Sequence, residues 1–187
     1  MAVVEWISHA INDSYCLESN SSFWNGRIYK IIHNEISGNV VTKPISFMKN
    51  NSIAGYGYFG TTEIILRLEE TPTKKLKIYN RKNLENSIGN LEFNNFWFNN
   101  ILYNVDIKTK TILNKAEFDF TLKIKDRNSP YIAIININVP GKSWYNPFTY
   151  SDYLEGCIHI EKDTNWEFVL SLFFYLDHYL DILSSRN

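Results

Sequence analysis

Polar and apolar positions alternate with a period of two through most of this chain, and the period changes once, close to the C-terminus. Residues 27–32 read Arg-Ile-Tyr-Lys-Ile-Ile, a strand. The stretch from Asn34 to Asn39, with Gly38, predicts the hairpin turn that follows, and Val40 to Met48 the returning strand. Between Ile53 and Phe59 two glycines, Gly55 and Gly57, alternate with Tyr56 and Tyr58, which marks a bent strand or a close approach by another backbone. A phosphate-cradling loop would need a following Lys-Ser/Thr pair and a helix, and neither is present. Glu117 to Lys125 alternates strictly, with apolar side chains at even positions, the pattern of a half-buried strand with one wet face. Tyr131 to Val139 predicts its partner, and Tyr153 to Glu161 the last strand. The opening segment admits two readings: apolar residues at 3, 4, 7 and 11 fit one face of a short helix, while Val, Trp and Ile also suit a strand. Residues 1–25 are read as a short helix or N-terminal arm, ahead of about 10–12 strands in residues 26–162.

The change of period falls after Lys162. Thr164 followed by Glu167 fits a helix-starting capping box, and Asp163 lies favourably near the positive helix end. From Phe168 to Leu176 the segment is apolar on every side, interrupted only by Ser171. A surface helix carries a polar stripe. A bilayer-spanning helix needs about 20 apolar residues, and here Asp177, His178 and Asp181 arrive too early. Residues 163–184 are therefore expected to form a helix enclosed by protein. Because a helix is about 10 Å across, a small sandwich does not hold it. The pattern predicts a mainly β, single-domain protein: a closed antiparallel barrel of about 10–12 strands around a buried C-terminal α-helix. Tyr175, Tyr179, Asp177 and Asp181 are expected where the helix leaves the barrel, in contact with water. A lipocalin-like barrel with the helix packed outside is the alternative, and it would require the polar stripe that Phe168 to Leu176 lacks.

The order of short strands followed by Asp163-Thr164-Asn165-Trp166-Glu167, the apolar run Phe168 to Leu176 and the closing Asp177 resembles the tubby C-terminal-like superfamily. That group includes tubby proteins, phospholipid scramblases and the LURP-one-related proteins. The resemblance implies a barrel threaded by its own terminal helix and a binding rather than catalytic role. It carries over no functional residue.

Composition then narrows the function classes. A net charge of −1 offers no global field for nucleic acid, and no nucleic-acid partner is expected. Aromatics at 16%, with repeated Asn pairs, favour many strands joined by tight turns. Cys16 and Cys157, far apart, do not make a disulfide framework. The first residues carry Glu5 and His9 and no long apolar run, so a cytoplasmic location without a transmembrane segment is expected.

Four groups of side chains are candidates for chemistry. Cys157 and His159 share a strand face and could serve a metal or a nucleophile; no second pair has ligand spacing, so no metal, cofactor or catalytic residue is assigned. Asp177 and Asp181 share a helix face beside His178 and are read as the solvated helix end. Lys74, Lys75, Lys77, Arg81 and Lys82 form the densest basic run, a candidate for an anionic lipid headgroup or simply a wet strand face. Trp144, Tyr145 and Phe148 belong to an aromatic loop and are interface candidates. The expected function is a non-catalytic binding domain engaging a protein or an anionic lipid surface. The alternatives are a dedicated inhibitory, immunity-type or phage-encoded interaction factor, and an enzyme with an unrecognised site.

Overall fold

The computed structural model describes residues 2–10, 27–43, 52–70, 74–92, 95–112, 115–125, 131–140 and 153–185. Twelve strands follow in chain order: β1 (Ala2–Ala10), β2 (Arg27–His33), β3 (Ile36–Thr42), β4 (Ile53–Phe59), β5 (Thr62–Glu70), β6 (Lys74–Asn80), β7 (Asn83–Glu92), β8 (Asn95–Phe98), β9 (Ile101–Ile112), β10 (Lys115–Ile124), β11 (Ala133–Pro140) and β12 (Tyr153–Ile160). The helix α1 (Trp166–Ser185) comes last. Each strand pairs antiparallel with its neighbours in sequence, and β1 pairs with both β12 and β2, so the sheet closes into a barrel without a free edge.

The opening residues are thus neither helix nor arm. Val4, Trp6 and Ser8 face inward and are buried, while Val3, Glu5 and His9 are exposed. The helix-like spacing of residues 3, 4 and 7 yields because β2 and β12 would otherwise present unpaired backbone groups, and β1 satisfies both rows at once.

Helix α1 fills the barrel. Val169, Leu170, Leu172, Phe173 and Phe174 are fully buried, with Phe168, Tyr175, Leu176 and Leu180 nearly so. Each such side chain stabilises by roughly 1.5–3 kcal/mol relative to exposure. Ser171 is buried too, and its hydroxyl donates to the Glu167 carbonyl one turn back, so the one polar side chain in the run is satisfied within the helix. Phe168 packs among Phe96, Phe98 and Tyr103, and Phe173 against Trp6 and Tyr29. The helix comes close to β4, where a Cβ on Gly55 would lie 2.6 Å from Phe174 Cε1. Gly55, the first of the two glycines that alternate with Tyr56 and Tyr58, therefore marks a close approach by the helix, and the ladder is irregular between Ile53 and Gly55. The helix starts one residue later than the capping-box spacing predicts. Asn165 Oδ1 accepts from the Glu167 N–H at 2.8 Å, while the Thr164 hydroxyl donates to the Glu161 carbonyl.

The two ends of the barrel differ. At one end, two-residue turns follow β2, β4, β6 and β8, and a longer connection joins β10 to β11. Asn34-Glu35 and Asn99-Asn100 have φ of 46°, 66°, 47° and 63°, the paired left-handed conformation of a type I′ hairpin. The first turn thus precedes Gly38, which lies inside β3 against Phe59. At the other end, residues 11–26, 44–51 and 141–152 and the short links 71–73, 93–94 and 113–114 connect the strands, and α1 runs toward it from the turn end. Charged side chains such as Glu5, Lys30, Asp106 and Asp119 are carried outward, with the apolar set inside. This is the reverse of a lipid-facing barrel. Among the described residues, no helix is long and apolar enough to cross a membrane.

Candidate functional sites on a helix-filled barrel

At the loop end the apolar interior gives way to a polar cluster that joins β1, β2, β3 and α1. Arg27, Ser8 and Thr42 are buried, with Arg27 only 1% exposed. Arg27 Nη1 donates to Ser8 Oγ at 3.0 Å, and Thr42 Oγ1 donates to the Arg27 carbonyl at 3.3 Å. The Tyr29 hydroxyl donates to Asp177 Oδ1 at 2.8 Å and so ties the helix to the wall. Burial raises the Asp177 carboxyl above the usual aspartate range, against the lowering pull of Thr42, Arg27 and Tyr29. Tyr29 is raised well above 10, first by burial and then by the carboxylate it faces. Next to Asp177, burial lowers His178 to about 4, and its Nδ1 has no partner among the described residues. The imidazole is therefore neutral at physiological pH.

This cluster corrects the reading of the helix end. Tyr175 is buried, only 2% exposed, rather than wet, whereas Asp177 and Tyr179 stay partly exposed and Asp177 is also docked against the wall. The side chain of Asp181 lies outside the described residues. Sequence reasoning did not single out Ser8, Arg27, Tyr29 or Thr42. Along 27–32 both alternating rows carry apolar residues, Tyr29 and Ile31 in one, Ile28 and Ile32 in the other, so alternation alone does not say which faces in. An aspartate ending an apolar run was the one available pointer to a buried partner.

The basic run divides between strand and turn. Lys74, Lys75 and Lys77 lie on β6, Arg81 and Lys82 in the turn after it. Lys75 Nζ is 3.1 Å from Glu92 Oε1, Lys77 Nζ is 2.7 Å from Glu69 Oε2, and Arg81 Nη1 is 2.7 Å from Glu63 Oε2. Arg81 also donates to the Tyr56 hydroxyl. Burial would raise the Glu69 carboxyl, but hydrogen bonds from Lys77 and Tyr79 outweigh it and hold it below its usual range. Burial and the bond to Glu69 push the Tyr79 phenol up to about 12. The face is a charge-balanced lattice across β5, β6 and β7. Lys82 is exposed in its turn, and the Lys74 side chain lies outside the described residues.

Cys157 and His159 do share an outer face of β12, with Sγ and Nε2 3.3 Å apart. Cys157 Sγ also donates to Asn136 Oδ1, which belongs to an amide that bonds Asp119. Burial, then Glu5 and Asp119, push the thiol up, away from the thiolate that a nucleophile requires. Among the described residues, no three His, Cys, Asp or Glu side chains gather into a metal-holding group. Trp144, Tyr145, Phe148 and Cys16 lie outside the described residues.

By its architecture the protein is a twelve-stranded closed antiparallel barrel with its own C-terminal helix along the interior. Compared with known protein families, curated proteins and solved structures, the chain finds no match.

Proposed function

We propose that this chain is a non-catalytic binding module with a tubby-like barrel, and that it meets a protein partner at its loop end. The observation that carries the reading is the filled interior: α1 occupies the volume that a ligand-carrying barrel leaves open, which directs recognition to the outside. The loop end combines a polar cluster with three longer connections, the usual place for variable recognition segments on a rigid scaffold. Of the two partner classes the fold resemblance suggests, protein is favoured over anionic lipid. Lys75, Lys77 and Arg81 each face a carboxylate, so little unpaired positive charge is offered to a headgroup.

Site-specific photo-crosslinking in the native host tests this. A photoreactive residue at His9, Lys43 or Tyr153, on the loop end, is expected to capture one stoichiometric protein. The same residue at Thr61 or Asn99, in turns at the opposite end, is expected to capture none. Equal capture from both ends, or none from either, contradicts the reading. Flotation with anionic vesicles that is abolished by charge reversal of Lys75 and Lys77 moves it to lipid.

A further inference from the structure

A second surface lies on the barrel wall and is independent of the loop-end reading. In β1 and β2 the buried row is Val4, Trp6 and Ser8 with Arg27, Tyr29 and Ile31. The alternate row faces outward. It sets Glu5 opposite Ile32 and Ile7 opposite Lys30. These four side chains stand at the corners of a rectangle, about 4.8 Å across the strands and about 6.7 Å along them. The two opposite charges occupy one diagonal and the two isoleucines the other.

Both diagonals are available for contact. Glu5 and Lys30 are exposed, and among the described residues neither forms an ion pair. Ile32 is 42% exposed, and Val3, Ile28 and Ile36 on the same three neighbouring strands are exposed too. They make up four of the eight large exposed hydrophobics among the described residues, so the apolar surface is gathered on this wall rather than scattered.

The rectangle is its own complement. A two-fold axis laid in the face along the isoleucine diagonal exchanges the charged corners. Lys30 of one copy then meets Glu5 of the second, Glu5 meets Lys30, and Ile7 and Ile32 each meet their own counterparts. An axis along the strands, or across them, would set every charge on an isoleucine. An axis along the charged diagonal would set like on like. Only the first choice satisfies all four side chains, and it crosses the two walls steeply, near the orthogonal class of sheet packing.

We propose that the outer face of β1 and β2 docks a second copy of this chain, in a two-fold dimer held by two Lys30–Glu5 pairs around Ile7 and Ile32. A convex barrel wall gives a contact smaller than the roughly 1,200 Å² of a stable interface, so the dimer is a weak one that forms at high concentration. Both loop ends stay free for other partners.

Sedimentation of the intact chain between about 10 μM and about 1 mM tests this, with variants whose thermal melts match the parent's. A reversible monomer–dimer equilibrium is expected. Lys30→Glu and Glu5→Lys are each expected to weaken it by about tenfold or more, because like charges then face each other. An equimolar mixture of the two variants is expected to form a heterodimer, since a doubly acidic face then meets a doubly basic one. Ile32→Gln keeps both charges and is expected to weaken the dimer as well, whereas Lys75→Glu on β6 is expected to leave it unchanged. A parent chain that stays monomeric at about 1 mM leaves this face to a different partner and overturns the proposal. Charge-reversed variants that dimerise like the parent, or a mixture that stays monomeric, overturn it as well.

Discussion

Tyr29 and Asp177 are joined by a hydrogen bond that crosses from the barrel wall to the helix, and its acceptor is an ionisable, partly buried group. Such bonds contribute more than neutral ones, so Tyr29→Phe is expected to lower stability by about 1.5–3 kcal/mol in denaturant melts. His178 acts through pH. Its folded value of about 4 lies below the ordinary 6.5, so the unfolded chain binds a proton that the folded chain refuses. The resulting penalty is absent above pH 6.5, grows as pH falls, and is complete below about 4, reaching up to roughly 3 kcal/mol. Asp177, raised in the fold, works the other way between its folded pKa and 3.8. Comparing melts of the parent and of His178→Asn across pH 4–7 isolates the imidazole; the variant is expected to lose the destabilising slope. At this scale little was legible beforehand. The acid at position 177 stands out in the chain, but its partners at 27, 29 and 42 lie far away in sequence and become neighbours only when the barrel closes.

Elements read from their own period were recovered best. The strict alternation of 117–125 became β10, and the all-round apolar run became the buried part of α1. Both signals are local, and tertiary structure had nothing to override. The opening strand went the other way: Val3, Val4 and Ile7 satisfy two periods, and only the demand for closure by β2 and β12 decides between them. The first hairpin shifted because Asn34 and Glu35 both adopt positive φ, so the turn did not need the glycine that seemed to supply it. Gly55 and Gly57 were read as a bent strand or a close backbone approach; what comes nearest to Gly55 is the Phe174 ring, 2.6 Å from where a Cβ would stand, and the ladder is irregular beside it. That contact has a direct test. Gly55→Val drives methyls into Phe174 and is expected to cost about 1–3 kcal/mol, seen as a lower denaturation midpoint with an unchanged slope.

At the scale of the whole molecule, barrel and helix depend on each other. The inner faces of the twelve strands have α1 as their common core, and α1 has no polar face to offer water. Removing residues 1–10 deletes β1, leaves β2 and β12 as open edges, and uncovers Tyr29 and Phe173 beside the missing Trp6. The truncated chain is expected to bind a hydrophobic dye and self-associate on size exclusion. A truncated chain that stays monomeric and dye-silent would mean that β1 is dispensable. The global architecture was legible through one argument of exclusion, a helix too apolar for a surface and too short for a bilayer. The placement of outer-wall features was not, because pairings such as Glu5 with Cys157 follow from register rather than from neighbouring residues.

The central claim is that α1 is sheathed by strands of its own chain. Native-state hydrogen exchange of the amides from Val169 to Leu176 measures it most directly. The account predicts that these amides exchange only through global unfolding, with the same free energy and denaturant dependence as the strands around them. Exchange of this segment by a separate, lower-energy opening while the strand amides stay protected would contradict it.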